Sequence, residues 1–131
     1  MGRPIPVAKV SRLDTNMESG SSIILENANQ CIAMQLRDDN LKWGLFGGWS
    51  ELDETPQETI LREIDEELGV ILDPDHLTFL RIFTFPDIGT ANVFHYPVKN
   101  ELDNAVLTEG ITFQFLSPQE ISEKSVPDHH R

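Results

Sequence analysis

The chain has a single cysteine, Cys31, so no intramolecular disulfide framework is open to it, and a reducing, cytoplasmic setting fits. It also lacks any run near the ~18 apolar residues that a membrane span requires, and its N-terminus lacks the apolar segment of a signal peptide. Pro6 stands where N-myristoylation after Gly2 would want Ser or Thr. The expectation is a soluble protein with no membrane partner. Positive charge is scarce: 10 Lys and Arg against 22 Asp and Glu leave a formal net charge of −12. That deficit, without any basic run, argues against a nucleic-acid polymer as partner. A small phosphorylated ligand stays open, because a bound divalent cation changes the sign of the local field. Internal repeats and low-complexity tracts are absent. What remains, 131 residues of which 39% are hydrophobic and 24% charged, suffices for one domain with its own core, spanning residues 1–131.

The pattern along the chain alternates strands with one helical unit. Residues 1–22 read as a loose arm, or as an edge strand around Ile5–Val10, ending in the Gly/Ser stretch Ser19–Ser22. Ile23–Leu25 and Cys31–Leu36 read as strands of a hairpin, with Cys31 a buried thiol. Trp43–Phe46 is a short apolar segment running into Gly47 and Gly48. Leu77–Phe85 and Ala91–Val98 are strand candidates joined by a turn at Pro86–Thr90, and Ile111, Phe113 and Phe115 alternate as a half-buried strand does. Ser117–Glu120 is a capping signature that opens a short helix to about Lys124. Residues 126–131, with His129 and His130, read as a solvated tail. The order fits an α/β fold with a mixed sheet flanked by helices.

One segment breaks local rules. Thr55, Pro56 and Glu58 provide an N-cap, a first-turn proline and a capping-box glutamate, and Gly69 suits a left-handed stop. Ile60, Leu61, Ile64 and Leu68 form an apolar stripe between them. At about 100° per residue, Glu63, Glu66 and Glu67 share an arc of about 100° beside that stripe. Glu66 and Glu67 stand in the last turn, where the helix dipole disfavours carboxylates by about 0.3–1 kcal/mol each, and Glu63 repels both. Arg62 can pair with Glu58 and Glu66, but one guanidinium does not neutralise the set. A divalent cation would: clustered carboxylate oxygens on a rigid element suit Mg²⁺, which completes its shell with water and phosphate. A solvated acidic helix is the plainer alternative.

The run from Gly48 to Val70, Gly-x5-Glu-x7-Arg-Glu-Ile-x-Glu-Glu-x-Gly-Val, resembles the Nudix box at every specified position. Seven of those positions demand one residue type, which chance would match about once in 10⁸ windows. The resemblance implies the α/β/α sandwich of that family, with a mixed β-sheet. It also implies hydrolysis of a nucleoside diphosphate linked to another moiety, with Mg²⁺ or Mn²⁺ as cofactor and a small-molecule nucleotide as partner. Homodimers are frequent in the family. By the family's pattern Glu66 and Glu67 are the main metal ligands, Glu63 is a ligand or the group that activates water, and Arg62 orients the glutamates. Gly47 or Gly48 offers a carbonyl to the metal, and Glu54 coordinates through water or supports the loop. Many members use a downstream acidic residue; Glu109 is the candidate here, with Asp87 and Glu101 behind it. Phe46 and Leu52-Asp53 depart from the residues common before Glu54, which bears on loop shape. Among Trp43, Trp49, Phe83 and Phe85, which could each stack on a base, the two Phe fit the core better, and Trp49 stands beside the glycine pair. A nucleoside triphosphate is favoured for so short a chain, with nucleotide sugars, ADP-ribose and dinucleoside polyphosphates as alternatives. The competing class is a Nudix-like module that binds or senses a nucleotide without cleaving it.

Overall fold

The computed structural model describes residues 18–87, 89–108 and 112–125. Among these residues the seven strands are β1 (Glu18–Glu26), β2 (Ile32–Leu36), β3 (Trp43–Gly44), β4 (Phe46–Trp49), β5 (Thr78–Phe85), β6 (Gly89–Pro97) and β7 (Thr112–Leu116). Two α-helices of the described residues accompany them, α1 (Pro56–Leu68) and α2 (Pro118–Ser125), with one 3₁₀ turn at Pro74–His76. The expected arm, edge strand at Ile5–Val10 and C-terminal tail with His129 and His130 lie outside the described residues, as does Ile111. Residues 18–22 correct the expected boundary, since they belong to β1. Gly20–Ile23 pair with β4 on one side while all of β1 pairs parallel with β6 on the other, so two ladders override the weak strand propensity of Gly and Ser.

β1 organises the sheet. Ser21, Ile23 and Leu25 alternate inward and are buried, as a half-covered strand requires. The hairpin with β2 is minimal: only Glu26 and Ile32 pair, and β2 then runs between β3 and β7. α1 packs on β1 and β4, and α2 lies against β7. The core under α1 brings Ile60, Ile64 and Leu68 onto Ile23, Leu25, Phe46 and Phe94. Buried Tyr96 satisfies its hydroxyl by accepting from the Asp73 N–H at 3.0 Å. The result is an α/β fold with a mixed sheet, as expected. No helix among the described residues is long and apolar enough to cross a membrane.

α1 begins and ends as its sequence dictates. The Thr55 hydroxyl accepts from the Glu58 N–H at 3.1 Å, and Glu58 Oε1 accepts from the Thr55 N–H at 2.9 Å. Gly69 closes the helix at φ 69°, and its N–H donates to Asp65 O. Thr55→Ala is expected to cost about 1 kcal/mol, read as a lower denaturation midpoint with unchanged slope.

Two readings of side-chain burial are corrected. Cys31 is half-exposed, because it ends a turn and its thiol faces Asn29 O. Phe83 and Phe85 are 40% and 46% exposed. Their strand, β5, pairs with β6 alone among the described residues, and α1 packs on β1 and β4 rather than over it.

Candidate active site

The site is assembled where β4 hands over to α1. Gly48, in β4, lies against the helix so closely that a Cβ there would stand on the Glu63 carboxyl. Only glycine permits that approach. Gly48→Ala is therefore expected to displace the Glu63 carboxylate and lower kcat/KM by roughly 10- to 100-fold, the usual penalty for disturbing a ligand's support. Circular dichroism should remain native.

Arg62 is the hub. Its Nε donates to Glu54 Oε2 at 2.7 Å, and Nη2 donates to Glu54 Oε1 at 2.9 Å and to Trp49 O at 3.1 Å. Nη1 donates to Glu63 Oε2 and to Glu66 Oε1, each at 3.1 Å. A guanidinium has five N–H donors, and all of them are engaged. The expected pairing with Glu58 does not occur, since that carboxylate is used in the helix cap. The partner that sequence reasoning missed is Glu54, eight residues upstream. A helix-surface rule considers only i+3 and i+4 neighbours, while the loop at 50–55 folds Glu54 back over the helix. Glu54 also accepts from the Glu51 N–H at 2.9 Å and lies 2.9 Å from the buried Thr59 hydroxyl. These bonds, the Arg62 fork foremost, hold its carboxyl at about 2. With both oxygens so occupied, Glu54 supports the loop.

Glu63 has the opposite character. Burial pushes its pKa up, and the Arg62 charge only partly offsets that. Glu67, one turn further along the helix, is itself buried at 7% exposure. Two carboxylates drawn out of water so near each other are what a divalent cation fits, because the cation neutralises both. Among the described residues no three Asp, Glu, His or Cys side chains converge into a cage of their own. Arg62 draws Glu63 and Glu66 onto itself. An open arrangement of one or two carboxylates, completed by water and phosphate, is the form that Mg²⁺ takes.

Beside Gly47 and Gly48 opens a cavity of about 460 Å³, lined also by Trp49, Phe85 and Arg37. Trp43 has no place there, and Lys124 Nζ lies 5.2 Å from its ring centroid. Glu101 is used within its own turn, accepting from the Lys99 N–H at 2.6 Å. Asp87 sits in the β5–β6 turn at φ 68° and does not line the cavity. Glu109 lies outside the described residues.

The NUDIX domain model matches residues 18–131. A "MutT-like protein" from Streptomyces ambofaciens is 32% identical over 106 residues, covering 81% of this chain and 67% of the relative. Among solved structures, a MutT protein from Methanosarcina mazei superposes with a TM-score of 0.68 at 22% identity, over 89% of each chain. A bifunctional NMN adenylyltransferase/ADP ribose pyrophosphatase from Francisella tularensis gives 0.71 at 20% identity, over 95% of this chain and 43% of the other. With an unbroken box running from β4 through α1, a matching domain and a shared fold, the chain belongs to the Nudix hydrolase family.

Proposed function

We propose that the protein hydrolyses a phosphoanhydride bond in a nucleoside diphosphate derivative, a nucleoside triphosphate being the favoured substrate and Mg²⁺ or Mn²⁺ the cofactor. The observation that carries this reading is the carboxylate cluster on α1, gathered by Arg62 and set beside an aromatic-walled cavity. Glu66 and Glu67 are the main metal ligands, with the Gly48 carbonyl beside them. Glu63 is a further ligand or the group that takes a proton from water. A bound divalent ion would neutralise phosphate charge and acidify a water.

The chain's own contribution is placement. Arg62 holds Glu63 and Glu66 while keeping Glu54 ionised, and Gly48 leaves room for Glu63. Thr108 anchors the downstream loop, its N–H donating to Glu67 O at 3.0 Å and its hydroxyl to Glu66 O at 2.9 Å. Glu109, the next residue, is proposed as the carboxylate that completes the site. Trp49 contacts the ligand through its ring. The single cysteine fits a cytoplasmic enzyme.

The test is product release over nucleoside triphosphates, nucleotide sugars, ADP-ribose and dinucleoside polyphosphates, with each metal. The relatives' names include both MutT and ADP ribose pyrophosphatase, so both substrate types belong in the panel. Turnover of one class, abolished by chelator, is expected. Nucleotide binding without product at high enzyme concentration would favour a sensor instead.

A further inference from the structure

Most surface aromatic rings of this protein already have a partner. Phe79 meets Phe94 edge-to-face at 5.5 Å, Arg81 lies over Phe83 at 4.7 Å, and Lys124 covers Trp43. Trp49 and Phe85, 51% and 46% exposed, have neither ring nor cation against them among the described residues, and both wall the same cavity. Two uncovered rings facing one space are what a planar ligand would cover. The space is a usual size for a ligand site.

What sets the spacing of those walls lies in β1. The register puts Trp49 opposite Gly20, Gly20 opposite Ala91, and Ala91 opposite Phe83. Directly paired residues share a face of a sheet, so the indole extends across Gly20. A Cβ at Gly20 would stand 3.2 Å and 3.3 Å from Cε3 and Cζ3 of that ring, tight enough to push it outward. Any larger side chain would push it further, into the cavity. The backbone of Trp49 is fixed independently, because its carbonyl accepts from Arg62.

We propose that Gly20 is a specificity-determining residue: by letting the Trp49 indole lie flat on the strand, it sets the width of a slot between Trp49 and Phe85 that takes a planar nucleobase. Arg37 stands at the rim, the one cation among the described lining residues, and Asp39 holds it through two hydrogen bonds of 3.2 Å each. The inference rests on the nucleotide reading of the site, and it names the part of the substrate that the cavity selects.

The experiment is equilibrium binding followed by tryptophan fluorescence, on protein carrying Trp43→Phe so that Trp49 is the only reporter. AMP, GMP, CMP and UMP are titrated against ribose 5-phosphate, which lacks a base. The base-bearing ligands are expected to bind at least tenfold tighter and to quench Trp49. Gly20→Val, in a strand where valine is well tolerated, should cut that ratio about tenfold. Should Gly20→Val fail to fold, Gly20→Ala and Phe85→Ala are expected to lower the ratio in the same way. A wild-type ratio near one, or a ratio retained in the variants, would overturn the proposal. Because binding is measured without turnover, a protein that selects bases yet cleaves nothing would sink the enzymatic reading and leave the slot standing.

Discussion

Glu67→Gln is expected to lower turnover by roughly 10³-fold, the loss that about 4 kcal/mol of charge stabilisation implies, while leaving the metal-free fold equally or more stable. The two effects have one origin. Glu67 is buried one turn from Glu63, whose pKa is raised by burial. In the metal-free protein ionisation of Glu63 therefore opposes folding. A group whose folded pKa is raised lends full stability below its unfolded value and loses it as pH rises through the folded one. A glutamine at 67 removes one buried carboxylate charge from beside Glu63 and offers an amide N–H to it. Thermal denaturation in chelator should then show less loss of stability above the ordinary carboxylate range than wild type does. A fully active Glu67→Gln protein would mean that the metal assignment is wrong.

Arg62→Lys is the second. It keeps the charge and loses the fork, three donors on a point charge replacing five in a plane. Glu54 would forfeit its two-point contact and Trp49 O its donor. We expect about 2 kcal/mol of destabilisation, a Tm lower by roughly 8 °C for a domain of this size, and turnover reduced by about 10- to 100-fold as Glu63 and Glu66 lose their common anchor. The pH dependence should change too. Glu54 is depressed to about 2 from an ordinary value of 4.5. Its contribution is complete above the unfolded pKa and lost as pH falls through the folded one. In Arg62→Lys that loss should begin at a higher pH, so acid unfolding should move upward. Unchanged acid and thermal midpoints would show that Arg62 is not the hub.

The helix and the placement of its glutamates were legible because both depend on short spacings. The Thr55 cap, the apolar stripe and the Gly69 stop are local, and so is the arc of Glu63, Glu66 and Glu67. What was not legible depends on pairing across the fold. Ser19–Ser22 read as a loop from its composition, yet strands on both sides draw it into β1. The seat of Trp49 on Gly20 joins residues 29 apart, and no periodicity announces it. Arg62 reaches Glu54 through a folded-back loop, which helix spacing does not foresee. Phe83 and Phe85 have the hydrophobicity of core residues and stand on an edge strand that α1 does not cover. Their character belongs to the sequence and their exposure to the topology.

The engagement of every Arg62 donor has an energetic consequence for the order of events. A cation whose hydrogen bonds all go to its own protein has none to offer an incoming phosphate. Within α1 the attraction for phosphate must come from what the carboxylates recruit, in a chain already at −12. On the proposed function, metal and nucleotide are then thermodynamically linked, each raising the affinity for the other by the same factor. Depleting either one would weaken the hold on both, so at limiting metal the protein would ignore its substrate instead of sequestering it uncleaved.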